Sequence, residues 1–419
     1  MKQKNKVSPI FFVCAVFAVL LGLLAGPPEW IQWDTASYIK AGNVFLKGEV
    51  DAFRTPVYPL IISFFRMFLG DWFSTGVIVM QVLVFVLSVY CFSILCSHFL
   101  KTRLAYNVVV AMYAFHPTML IWQKLILTES FSVSVMVIFI YLLMRFIREN
   151  DYYSVLFSQV ALIFLVFLRP SFIYLIPLNF IFWGYWVVKK RFIHSLIGLV
   201  GGLIITISFW GYCSSFEKQY GVWGSSNVSD INQFWILSEA GLIDFDAIPN
   251  EQMRIDVERF QEVVLYRSDH IILFQILQQR YGLSECHDMV VNSIVNNLGA
   301  YIEYRIKNFW KEGVASVGCW EEHRDFLTRL GFFTSLNFFQ YITFLLIYVV
   351  LFFCYFRKSE MCFFSIYLLL VAGGGVFVAM AGAPNFWGRL TVTCIPVSFL
   401  LFGQELDLLY TKLNVKNVE

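Results

Sequence analysis

Long apolar runs separated by short polar breaks set the pattern of this chain. A helix needs roughly 20 apolar residues to cross a bilayer, and ten such segments occur, near 8–25, 72–99, 103–121, 126–144, 153–169, 171–188, 193–212, 333–356, 361–381 and 391–408. The stretch 57–70 is apolar but short, with Pro59 near its start and Arg66 inside it. It reads as an interfacial or re-entrant helix, with an eleventh span as the alternative. Between the seventh and eighth spans the pattern changes: residues 213–332 are hydrophilic, with apolar positions at helical spacing. There 254–282 reads as one long helix. Residues 289–312 read as an amphipathic helix, with Val290, Ile294, Leu298, Ile302, Ile306 and Phe309 on one stripe, lying along the membrane surface or on the spans. The expected fold is an all-α polytopic membrane protein of about ten transmembrane helices with a large external helical loop. Its parts are a core over 1–212 that includes external loop 1 (26–58), an external domain over 213–332, and C-terminal spans over 333–419.

Composition agrees, since 58% of the residues are hydrophobic and 14% charged, more apolar surface than a soluble core takes up. Charge then orients the chain, because short cytoplasmic loops collect Lys and Arg. Lys2, Lys4, Lys6, Lys101, Arg103, Arg145, Arg148, Lys189, Lys190, Arg191, Arg357, Lys358, Lys412 and Lys416 fall on one side if the spans alternate, which places both termini in the cytoplasm. The other basic residues outside the external domain are Lys40, Lys47, Arg54, Arg66, Lys124, Arg169 and Arg389, all at or near the external face. Such a set calls for anionic partners. The external domain is itself acidic, with 17 Asp/Glu against 10 Lys/Arg. Residues 1–25 have the basic start and apolar run of a signal peptide, but Gly26-Pro27-Pro28 follows without a small-x-small cleavage pattern, so the reading is an uncleaved anchor. Most cysteines sit in apolar spans as small core residues; Cys286 and Cys319 lie in the external domain, where an oxidising compartment would let them pair.

Candidate chemistry concentrates in the first polar loop, 33–59, which holds Asp34, Tyr38, Lys40, Arg54 and Tyr58. An alternative role for Asp34 is the N-cap of a helix over about 35–47. His116-Pro117 closes the third span, and Lys124 leads into Glu129 near the start of an apolar helix. A carboxylate there is costly unless it faces a wet cavity or a partner; helix capping by Thr128 or Glu129 is the other reading. Arg169-Pro170 forms a sharp turn, because Pro170 cannot continue a helix. The turn 381–389 ends in Arg389. Gly221, Gly224, Asn227, Asn232, Trp223 and Trp235 make an amide-rich aromatic approach suited to sugars, although aromatics also gather at any membrane interface. Metal, P-loop, dinucleotide and nucleophile-elbow motifs are absent from the sequence.

The order Asp34-x-x-x-Tyr38, a Gly-x-x-Asp turn at Gly48–Asp51, then Arg-Thr-Pro-Val-Tyr-Pro at 54–59 resembles the first external loop of the GT-C membrane glycosyltransferases. Within them the loop is most similar to the protein mannosyltransferase and lipid A aminoarabinose transferase branch. Glu129, Arg169-Pro170 and Arg389 resemble the family's second acidic position, its Arg-Pro turn and its late arginine.

The resemblance implies sugar transfer from a polyprenyl-phosphate donor to a glycan, lipid or protein acceptor on the external face, in a bacterial plasma membrane. Nucleic acid is not an expected partner. It implies Asp34 as general base with Glu129 as second carboxylate, Arg54, Lys124, Arg169 and Arg389 on the donor phosphate, and Tyr38, Tyr58 and His116 against substrate. The family often carries two adjacent acids in this loop, whereas Thr35 follows Asp34, so a divalent metal stays open and no other cofactor is implied. The alternatives are an O-antigen-type polymerase, a lipid-linked sugar transporter and a non-catalytic membrane receptor.

Overall fold

The computed structural model describes residues 32–189, 191–263, 267–314, 362–383 and 391–416, with the single positions Val13, Val16, Leu20 and Val349. The expected spans 8–25 and 333–356 therefore lie almost wholly outside the described residues, as does Arg389.

All regular elements among the described residues are helices. Loop 1 supplies α1 (Gln32–Phe45) and α2 (Val57–Leu69). A 3-10 turn at Gly70–Trp72 then leads to α3 (Phe73–Phe99). The turn is tight enough that a Cβ at Gly76 would strike the Phe65 and Leu69 side chains. The short α2 thus folds back along α3 and lies against α1, where Arg66 reaches Asn43. The third expected span is broken at His116 into α4 (Arg103–Ala114) and α5 (Pro117–Trp122). The bundle continues with α6 (Thr128–Glu149), α7 (Tyr152–Leu168), α8 (Leu175–Val188) and α9 (Phe192–Tyr220).

Four helices form the domain expected to be external: α10 (Val228–Ala240), α11 (Glu251–Val263), α12 (Arg267–Tyr281) and α13 (Leu283–Asn296). The helix α14 (Leu298–Val314) leaves it, followed by α15 (Cys362–Gly382) and α16 (Ile395–Lys416). The stretch expected as one long helix over 254–282 is helical on either side of residues 264–266, which lie outside the described residues, and the amphipathic helix expected over 289–312 is interrupted at Asn297, where α13 ends and α14 begins.

Five described helical segments are long and apolar enough to cross a membrane, Val57–Phe99, Thr128–Glu149, Pro170–Val188, Phe192–Tyr220 and Phe363–Gly382, with the shorter apolar Tyr152–Leu168 beside them. The chain is an integral, all-α membrane protein. Between helices in lipid, small residues and polar contacts replace the hydrophobic drive that holds a soluble core. Both devices are present. Gln159 and Asn179 exchange hydrogen bonds at 3.1 and 3.2 Å, and the Trp183 indole donates to Asn179 at 2.8 Å. Gly198, Gly201 and Gly202 of α9 bring its backbone onto that network; a Cβ at any of them would collide with Trp183, Gln159 or Asn179. Gly374 and Gly375 do the same for α15 against Tyr174 and Cys394.

The two ends of the bundle differ. One end carries Lys101, Arg145, Arg148, Lys189 and Arg191 at helix turns, where Asp407 caps the start of α4 through the Lys101 and Thr102 amides and Arg191 caps the end of α6. The other end carries loop 1, Glu129, Arg169 and the external domain.

Candidate active site

Loop 1 is shaped by its own carboxylate. Asp51 Oδ1 accepts from the Phe53 and Arg54 amides at 2.9 Å each, a local turn that competes with helix formation and aims Arg54 back at α1. The loop is then held from three sides. Gln219 and Tyr220 at the top of α9 bond the Val50 backbone, the Asn227 amide donates to the Ala52 carbonyl at 2.8 Å, and Thr55 donates to the Leu168 carbonyl at 3.2 Å. Phe53 packs into the core of the external domain.

Each guanidinium nitrogen of Arg54 meets a side chain of α1. Nη2 meets Asp34 Oδ1 at 2.5 Å, Nε donates to Ser37 Oγ at 2.8 Å, Nη1 donates to the Tyr38 hydroxyl at 3.2 Å, and the group lies 4.2 Å from the Tyr38 ring centroid. Asp34 sits within the first described turn of α1 rather than ahead of the helix, so it is not the N-cap of a helix starting at Thr35. Tyr38 is buried, which pushes its phenol above the ordinary value, while Arg54 pulls the other way. The phenol feels the charges of both Asp34 and Glu129 and reaches the Thr128 hydroxyl. Tyr38 is thus within electrostatic range of both carboxylates.

Glu129 is 1% exposed, and Arg169 Nη1 lies 3.6 Å from its Oε1. Arg169 occupies an extended position closing α7, with Pro170 opening the next turn. The N-cap of α6 is Leu127, without a side-chain cap, so Glu129 and Thr128 do not cap this helix. The charge of Glu129 is met by Arg169 and by the positive end of the helix dipole.

The segment carrying Lys124 is pinned to both neighbours. Gln81, fully buried in α3, donates to the Gln123 and Leu125 carbonyls at 3.1 and 2.9 Å and accepts from Tyr58 at 2.8 Å. Thr35 donates to the Ile126 carbonyl at 3.2 Å. Lys124 is half-buried between those anchors. Gln81, Thr35 and Ser37 were not singled out from the sequence, whereas Asp51 closes the Gly-x-x-Asp turn read there. A lone amide in the apolar run 72–99 was the signal for Gln81; Thr35 and Ser37 carry none.

The remaining candidates separate. Tyr58 is fully buried, packed edge-on against Tyr38 and bonded to Gln81, so it supports Tyr38 from behind. His116 is buried against Phe399 of α16, with neither ring nitrogen hydrogen-bonded. The residues expected to face a sugar do other work: Asn227 bonds Gln278, Asn232 bonds the Gly382 carbonyl, and Trp235 stacks on His270. Of the two tryptophans only Trp223, tilted against Trp210, is well exposed. Cys286 is a free, buried thiol in the external core; Cys319 lies outside the described residues.

Among the described residues no three His, Cys, Asp or Glu side chains gather as a metal site. Asp34 and Glu129 each face a guanidinium, which neutralises the carboxylate a divalent ion would need.

No family model and no curated protein matches the sequence. The architecture is shared with solved structures. An archaeal oligosaccharyltransferase from Archaeoglobus fulgidus, in complex with Zn and sulfate, aligns at 14% identity with a TM-score of 0.53, over 97% of this chain and 50% of its own. The Archaeoglobus fulgidus oligosaccharyltransferase AglB, with an inhibitory peptide and a dolichol-phosphate, aligns at 12% identity and a TM-score of 0.50, over 98% and 51%. ArnT from Cupriavidus metallidurans, bound to undecaprenyl phosphate, aligns at 12% identity, over 94% of this chain and 77% of its own, with a TM-score of 0.39. The chain shares the fold of these oligosaccharyltransferases and spans about half their length.

Proposed function

We propose that this protein is an integral membrane glycosyltransferase that moves a sugar from a polyprenyl-phosphate donor to an acceptor at the external face of a bacterial plasma membrane. The observation that carries the reading is the pairing of Asp34 with Arg54 and of Glu129 with Arg169 around Tyr38, at the end of the bundle opposite the basic helix turns. The fold is compatible with it, and an oligosaccharyltransferase that shares it was solved with a dolichol-phosphate.

In this reading Arg54, Lys124 and Arg169, with Arg389 from outside the described residues, hold the donor phosphate and stabilise it as a leaving group. The acceptor hydroxyl or amine attacks the anomeric carbon, the bond from that carbon to the phosphate oxygen breaks, and the acceptor proton passes to the Asp34 carboxylate. One displacement inverts the anomeric centre. Glu129 holds Arg169 and orients the acceptor side through Tyr38. The acidic external domain roofs the loop that carries Arg54.

The test is transfer by purified protein in nanodiscs from a panel of polyprenyl-phosphate sugars, with lipid-phosphate binding followed on the same sample. Saturable binding lost in Arg54→Ala, together with transfer from one donor, supports the proposal. Absence of lipid-phosphate binding by well-folded protein overturns it.

A further inference from the structure

We propose that the outer face of α13 and α14 is a lipid-binding surface resting on the external leaflet of the bilayer. The apolar stripe read from the sequence divides at Asn297. Val290 is buried and Ile294 packs into the external-domain core, whereas Leu298, Ile302 and Ile306 are 52%, 49% and 67% exposed. Val291 and Val295, 38% and 64% exposed, extend the open row backwards at helical spacing. A soluble domain rarely leaves such a contiguous apolar row in water.

The occupant follows from where this row is held. Arg305, next to Ile306, donates to the Met380 and Ala383 carbonyls at the end of α15, a helix long and apolar enough to cross the membrane. Asn232 and Gln233 bond the Gly382 and Ala381 carbonyls of the same terminus, and Tyr301 bonds Gln233. The stripe is therefore fixed at the level where a span ends, which is the headgroup boundary. Its flank is polar, with Glu303 and Lys307 paired and exposed, the profile of a helix lying in the interface plane. Because residues 213–332 carry more acidic than basic charge, anionic headgroups are not what attracts this domain. Attachment rests on apolar area and is insensitive to salt.

The test uses the full-length protein in nanodiscs, spin-labelled at Leu298→Cys, Ile302→Cys or Ile306→Cys, with Glu303→Cys as the polar control. The unsubstituted protein, labelled in parallel, supplies the background. Collision rates with oxygen, which partitions into lipid, are compared with those of a water-soluble nickel chelate. Oxygen should dominate severalfold at 298, 302 and 306, the chelate should dominate at 303, and the ratios should hold at high salt. Chelate access at 302 equal to that at 303 would overturn the proposal in favour of a water-facing surface. Low access to both reagents would overturn it in favour of a protein partner such as a second copy.

Discussion

Arg54 Nη2 and Asp34 Oδ1 meet at 2.5 Å, and the other guanidinium nitrogens of Arg54 are also committed to α1. In the proposed reaction a donor phosphate would compete with Asp34 for this arginine. Drawing Arg54 away would also uncover the carboxylate proposed to take the acceptor proton, so donor binding would precede a competent base.

Asp34→Asn separates these effects. Transfer should fall by about 10²–10⁴-fold, the usual worth of a general base. Lipid-phosphate binding should be retained or tightened, because Asn competes less well for Arg54. Weaker lipid-phosphate binding in a folded Asp34→Asn protein would contradict the competition.

Arg169→Met leaves the buried Glu129 without its guanidinium. Removing one partner of a buried pair costs about 3–5 kcal/mol, so thermal unfolding in detergent should show a large loss of stability. The double variant Arg169→Met/Glu129→Gln should recover much of it while staying inactive. Equal melting of the single and double variants would show that the 3.6 Å pair contributes nothing.

Gln81→Leu removes one side chain that satisfies two carbonyls and a phenol across three segments. Each orphaned buried group costs about 1–3 kcal/mol. Faster amide exchange over 122–128 and lower transfer are expected, with bundle helices such as α7 unchanged. Exchange confined to wild-type rates would remove Gln81 as an anchor of Lys124.

His287 Nδ1 lies 3.0 Å from Asp230, and this hydrogen bond raises its pKa above the ordinary 6.5. A raised histidine contributes stability that is fully present below the unfolded value and is lost as pH rises through the folded one. The external domain should therefore melt at a higher temperature near pH 6 than near pH 8. His287→Gln should flatten that difference, as read by differential scanning fluorimetry across pH.

Much of this was legible in the sequence because bilayers impose length. Apolar runs gave the bundle helices, and loop 1 with its Asp34, Tyr38 and Arg54 is a cluster in the structure as it is in the chain. Glu129 and Arg169 were each conspicuous, as charges at span ends. Their pairing was not, since nothing local records which turns share an end. The break at Asn297 was hidden for a related reason: both halves of the 289–312 stripe keep helical spacing, and only packing decides that Ile294 faces the external core while Ile302 does not. Asn232 looked like a sugar contact because an amide's partner, here the Gly382 carbonyl, is invisible to pattern.

That last contact bears on biogenesis. The final carbonyls of α15 lose their intrahelical partners and are met by Asn232, Gln233 and Arg305, all of which precede α15 in the chain. During synthesis the helices that carry these side chains are therefore made, and able to form, before this span. The receptor for the helix end precedes the helix, so α15 docks onto segments already made, and a lesion at Asn232 or Arg305 would surface at a helix end about 75 or more residues downstream.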